Sequence, residues 1–112
     1  MHRDIKAANL LCTADLETVK LGHFGLCLPV RALQAGHNAR DMAGTFLHMA
    51  PEVFNATASY SEKADIFSAA VCMVHLISGE HAYAADPDLL QPELLARRVC
   101  LSPSLFRFLS LF

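Results

Sequence analysis

The chain has 112 residues, enough for one small domain at most. Apolar residues make up 54% and charged residues only 18%, and the formal net charge is −2 with a pI near 6.3. That balance argues against an electrostatic attraction to nucleic acid or to an anionic membrane surface. No long unbroken apolar run marks a spanning helix, and the N-terminus lacks the basic-then-apolar layout of a secretory signal, so a cytoplasmic chain is expected. Cys12, Cys27, Cys72 and Cys100 are scattered with no C-x-x-C pair, which predicts reduced, mostly buried thiols. A free-standing domain this small buries only part of its surface, so this much apolar sequence predicts a piece of a larger core.

The chain opens on His2-Arg3-Asp4-Ile5-Lys6-Ala7-Ala8-Asn9, immediately before the apolar Leu10-Leu11. The segment sets an isolated carboxylate and a carboxamide five residues apart, with a lysine between them, just before an apolar run. Leu10-Leu11-Cys12 and Val19-Lys20-Leu21 flank a polar Thr13–Thr18 stretch and predict a small hairpin. Residues 22 to 49 keep neither helical nor strand periodicity and predict a long loop, functional or disordered.

Pro51-Glu52-Val53-Phe54 predicts a short helix opened by proline. Ser61 is placed to cap the next helix, with Glu62 and Asp65 in its first turns. From Ala64 to Ile77 that helix is apolar on nearly every face and is expected to be buried all round, ending at Ser78-Gly79. A looser segment from His81 to Pro87 leads to a helical pattern carrying Leu89, Leu90, Leu94, Leu95 and Val99. Ser102-Pro103 then starts a last helix with Leu105, Phe108, Leu109 and Phe112 on one face. His37, His48, His75 and His81 have no ligand spacing along the sequence and are expected to be incidental.

The opening motif is followed in order by four more segments that together resemble the large lobe of a eukaryotic protein kinase. Gly22-His23-Phe24-Gly25, after its short strand, is similar to the metal-binding D-F-G segment. Gly44-Thr45-Phe46-Leu47-His48-Met49-Ala50-Pro51-Glu52 resembles the close of an activation segment in A-P-E. Tyr60 to Ser68 resembles the start of the buried central helix, and Ser78-Gly79-Glu80 with Tyr83 resembles the turn after it.

The resemblance implies roles residue by residue. Asp4 would be the catalytic base that orients the substrate hydroxyl. Lys6 would neutralise charge on the transferred phosphoryl group of ATP, and Asn9 would hold Mg²⁺. Thr45 would contact Asp4 and Lys6 and shape the site for the substrate residue. His2 would pack the loop against Phe24, and Asp65 would hold the loop backbone. Arg3 would pair with an activation-loop phosphate. Lys6, two residues after Asp4, is the serine/threonine pattern.

His23 stands where the resemblance requires the metal-binding Asp. Mg²⁺ wants oxygen ligands in a tight octahedron, and an imidazole supplies one softer nitrogen with no negative charge. The glycine-rich loop, the strand lysine and its glutamate partner that the resemblance implies are not among these 112 residues. Glu52 is expected to lack its buried arginine partner, a costly state for a buried carboxylate. Between His23 and Ala50 the only hydroxyl side chain is Thr45, so Arg3 has no ordinary phosphorylation partner, and Asp41 is the candidate for a fixed anion in its place. Phe46 and His48 replace the Pro and large aromatic often found there.

The expectation is a mainly α, α+β overall, protein-kinase-like C-terminal lobe over 1–112, truncated at both ends, with a small β-hairpin carrying the catalytic and metal loops. Its site would comprise Asp4, Lys6 and Thr45 as catalytic residues, Lys6 and Asn9 towards ATP, and Asn9 with the degenerate His23 towards Mg²⁺. The expected partners are a protein substrate or a protein-binding partner. The expected function is that of part of a serine/threonine protein kinase, inactive as this chain. The alternatives are a pseudokinase remnant that acts by binding proteins and a gene fragment that folds poorly.

Overall fold

Two short apolar triplets separated by a polar hexapeptide can satisfy their backbone groups most locally by folding back on each other. In the computed structural model, which describes residues 1–31, 41–54 and 59–81, they do so. Strand β1 (Leu10–Cys12) pairs antiparallel with β2 (Val19–Leu21), with Leu10 opposite Leu21 and Cys12 opposite Val19. The Thr13 amide donates to the Thr18 carbonyl at 3.0 Å, and the Thr18 amide returns to the Thr13 hydroxyl at 3.1 Å. Leu16 takes the left-handed conformation inside the turn, with φ of 61°. The hairpin stands largely in solvent. Leu11, Val19 and Cys12 are exposed, which corrects the expectation of buried thiols at Cys12; Cys27 is half-buried and Cys72 is buried, and all three are free.

The described parts of the predicted long loop contain tight 3-10 turns at Phe24–Leu26 and Phe46–His48, and its residues 32–40 lie outside the described residues. The helix predicted at the proline is a 3-10 turn over Pro51–Phe54. Helix α1 follows, from Lys63 to Ser78. The Ser61 hydroxyl accepts the Lys63 amide at a long 3.4 Å, so the Ser61 and Glu62 carbonyls, bonded to the amides of Ala64 and Asp65 at 3.0 Å, do more to start the helix. Gly79 ends it in the left-handed conformation, φ 74°, returning its amide to the His75 carbonyl at 2.9 Å.

Helix α1 buries one face only. Ala64, Ser68, Val71 and Cys72 recur at helical spacing and face the core. Against them lie Met49, Ala50, Val53 and Tyr60, with Phe46 and Phe54 in an edge-to-face pair at 5.2 Å. Ile66, Met73, Leu76 and Ile77 are exposed, which corrects the expectation of burial on every side. The physical reason is coverage: among the described residues, the Phe46–Phe54 segment and the Ala7–Asn9 turn pack on the helix and leave these four side chains uncovered. Glu52 is likewise exposed, so it carries no buried-charge cost. The helices predicted around Leu89–Val99 and after Ser102, and the segment from 82 to 87, lie outside the described residues. No helix among the described residues is long and apolar enough to cross a membrane.

Candidate functional site

The N-terminal segment is fixed by a carboxylate from α1. Asp65 accepts the His2 amide at 2.6 Å on one oxygen and the Arg3 amide at 2.8 Å on the other. These charge-assisted bonds hold Arg3 at φ 72°, a conformation that costs a non-glycine residue about 1–2 kcal/mol. His2 is buried beneath the segment. Its Nε2 lies 2.9 Å from the Gly22 carbonyl and its Nδ1 accepts the Asp4 amide at 3.3 Å, which together select the Nε2–H tautomer. Its ring meets Phe24 edge-on at 5.4 Å.

The strained turn at Arg3 sends Asp4 inward, where four residues converge. Thr45 donates its hydroxyl to Asp4 Oδ1 at 2.6 Å. Asn9 Nδ2 reaches Asp4 Oδ2 at 2.9 Å and the Asp4 carbonyl at 2.7 Å. Lys6 Nζ lies 3.1 Å from Asp4 Oδ2 and donates to the Thr45 hydroxyl at 2.6 Å. Burial acts to raise the Asp4 pKa, but the hydrogen bonds from Thr45, Lys6 and Asn9 outweigh it and bring it down to about 2. Asp4 is thus a carboxylate at neutral pH, suited to orienting a donor hydroxyl rather than holding a proton. Both contacts of Asn9 through Nδ2 go to Asp4, which leaves Oδ1 as the acceptor available to a cation.

His23 is placed by the hairpin. The Gly22 amide donates to the Asn9 carbonyl at 2.8 Å, so residue 23 follows directly beside Asn9, at φ 64°. Its side chain is exposed and takes no part in the Asp4 network. As a donor set, the Asn9 amide oxygen and the His23 imidazole do not fit Mg²⁺: the second ligand is a neutral nitrogen, and the Asp4 carboxylate is already engaged by three side chains.

Arg3 projects to the other side of the segment. Its Nη1 meets both oxygens of Asp41 at 2.8 Å, and its Nε reaches the Leu26 carbonyl at 2.5 Å. Tyr60 donates its hydroxyl to the Asp41 carbonyl at 2.9 Å. Hydrogen bonding to Arg3 lowers the Asp41 pKa, and Arg3 is pushed further up because Tyr60 and Asp41 outweigh its burial. Asp41 therefore occupies the anion position beside Arg3, as the absence of another hydroxyl in the segment leads one to expect. Gly44 lets this segment pass close to the first: at φ 116°, a Cβ there would collide with the Arg3 carbonyl oxygen.

The fold thus brings Asp4, Lys6, Asn9 and Thr45 into one cluster with Asp65 behind it. The protein kinase domain family matches residues 1–101. The chain belongs to the protein kinase family. A G-type lectin S-receptor-like serine/threonine-protein kinase of Arabidopsis thaliana is 38% identical over 92 residues, 82% of this chain and 11% of that protein. Cysteine-rich receptor-like protein kinase 11 of the same plant is 39% identical over 80 residues, 71% of this chain and 12% of its own length. The serine/threonine-protein kinase pakA of Talaromyces marneffei is 38% identical over 96 residues, 86% of this chain and 14% of its own. The chain is homologous to serine/threonine kinases and spans 11–14% of the length of these relatives. Protein kinases use ATP and Mg²⁺ to phosphorylate proteins.

Sequence spacing missed one cluster. His48, His75 and His81 stand together on the far side of the Phe46–His48 turn from Thr45. The only local hint is a pair of histidines straddling the Gly79 reversal.

Proposed function

We propose that this chain carries the catalytic-loop part of a serine/threonine protein kinase large lobe and that, with His23 in place of the metal-binding carboxylate, it does not itself transfer phosphate. The observation that carries the reading is the Asp4–Lys6–Asn9–Thr45 network. Asp4 orients an incoming serine or threonine hydroxyl, a reading supported by the Thr45 hydroxyl that donates to its Oδ1 at 2.6 Å. With a pKa of about 2, Asp4 takes up the proton only late, as the hydroxyl oxygen bonds to phosphorus and its acidity rises. Lys6, 3.1 Å from Asp4, supplies positive charge towards the phosphoryl oxygens. Phosphoryl transfer depends mainly on positioning and charge neutralisation, so replacing a metal-binding carboxylate by a neutral imidazole removes several kcal/mol of transition-state stabilisation, on the order of a thousandfold in rate.

The second reading, a pseudokinase that binds proteins, is favoured by the same His23 together with the exposed Ile66, Leu76 and Ile77 on α1. One pair of measurements separates an intact but metal-poor site from a dismantled one. Wild-type chain given MgATP and a serine/threonine peptide mixture is expected to incorporate no more phosphate than Asp4→Asn. Mn²⁺, used as a paramagnetic probe, is expected to broaden the Asn9 side-chain resonance at least tenfold more strongly in His23→Asp than in wild type. Phosphate incorporation by wild type above the Asp4→Asn level overturns the inactivity; equal broadening in the two chains removes Asn9 and position 23 as a metal pair.

A further inference from the structure

The histidines at 48, 75 and 81 come from three places. His48 ends the 3-10 turn Phe46–His48, His75 lies in the last turn of α1, and His81 follows the Gly79 reversal. One nitrogen from each lies within 4.8 Å of the other two. The ring centroids of His75 and His81 are 4.0 Å apart, and those of His48 are 6.2 Å from His75 and 6.1 Å from His81. His48 is only 4% exposed, yet neither of its ring nitrogens has a hydrogen-bond partner, and buried Nδ1 of His75 has none either. Buried polar atoms in folded proteins are nearly always satisfied, so a buried imidazole with two idle nitrogens facing two more imidazoles asks for a ligand.

We propose that His48, His75 and His81 form a binding site for a borderline transition-metal dication of the Zn²⁺ type, with solvent in the fourth position. The donor set is all nitrogen, and no Asp, Glu or Cys joins it among the described residues, which suits Zn²⁺, Cu²⁺ or Ni²⁺ and not Mg²⁺ or Ca²⁺. Tetrahedral zinc with bonds of about 2.0–2.1 Å sets its nitrogens roughly 3.3 Å apart. Rotation of the half-buried His75 and the exposed His81 side chains would close the difference. The ligating form is neutral imidazole. Burial, then the neighbouring His81 and His75, and then Lys6 lower the His48 pKa, while Asp4 opposes them. The Ser68 hydroxyl holds the His48 carbonyl at 2.7 Å, which fixes the first ligand on a rigid support.

Occupancy would tie the Phe46–His48 turn to the end of α1. The His48 amide donates to the Thr45 carbonyl at 2.9 Å, so the metal would also hold the residue that contacts Asp4 and Lys6. The proposal rests on the three rings and on no step of phosphoryl transfer.

The test titrates metal-stripped chain with Co²⁺ and then displaces it with Zn²⁺. One equivalent of Co²⁺ should bind with the visible absorption of a non-octahedral site, and Zn²⁺ should raise the thermal midpoint while Mg²⁺ does not. His81→Ala, at an exposed position, should fold like the metal-free wild type, weaken binding more than tenfold and abolish the band; His75→Ala should do the same. Cys12→Ser, which removes the exposed hairpin thiol, should leave binding unchanged. Absence of stoichiometric binding, a band that survives both His81→Ala and His75→Ala, or one lost in Cys12→Ser would overturn the site.

Discussion

Asp65→Ala is expected to destabilise the chain by about 4 kcal/mol, because it removes two charge-assisted hydrogen bonds worth roughly 1.5–3 kcal/mol each. The carboxylate binds the consecutive amides of His2 and Arg3 at 2.6 and 2.8 Å, across most of the described chain. Without it, two amide donors lose their partner and the left-handed Arg3 at φ 72° loses what holds it. Native domains have only about 5–15 kcal/mol in hand, so the loss is a large share of the total. Asp65→Asn keeps one acceptor and should lose about half as much. Denaturant unfolding of the three chains checks this. A loss under about 1 kcal/mol for Asp65→Ala would show that the N-terminal segment stands without α1.

Gly44→Ala is expected to cost about 3 kcal/mol or more, combining backbone strain with a collision. Gly44 has φ 116°, and its missing Cβ makes room for the Arg3 carbonyl oxygen, a backbone atom that cannot rotate aside. Gly79 offers the contrast. It also has positive φ, 74°, but a Cβ there meets nothing within 4 Å, so Gly79→Ala should cost only about 1–2 kcal/mol, the ordinary penalty of a left-handed alanine. Thermal unfolding of the pair isolates the collision. Equal midpoints would mean that the two segments do not approach as closely at Gly44 as the structure has them.

The parts of the site that were legible in the sequence were those set by local spacing. Asp4, Lys6 and Asn9 lie within one short loop, and the hairpin that follows returns residue 23 to Asn9 through the Gly22 amide. Thr45 and Asp65 are distant in the chain and were reached only through resemblance to the family, since no periodicity links them to Asp4. Helix α1 was legible as a helix, down to its Gly79 stop, but not as to which faces pack. An apolar residue such as Ile66 or Ile77 carries no mark of whether a neighbour exists to cover it. The exposure of Cys12 and Glu52 is unmarked in the sequence for the same reason. The three histidines look incidental in the sequence because linear spacing cannot show that the turn after Thr45 and the end of α1 meet.

The assembled site requires that Thr45, Lys6 and Asn9 grip Asp4 in solution. The direct measurement is a titration of the Asp4 side-chain carboxyl carbon by NMR, in wild type and in Asn9→Ala. The structure predicts a pKa of about 2 in wild type, well below the ordinary 3.8, and a rise towards the ordinary value when Asn9 is removed. A carboxylate whose folded pKa is depressed adds stability that is fully present above its unfolded pKa and is lost as pH falls through the folded one. Stability should accordingly decline between about pH 4 and pH 2, by roughly 2 kcal/mol from this group. An Asp4 that titrates near 3.8 in the folded chain, unmoved by Asn9→Ala, would contradict the assembled site and the function built on it.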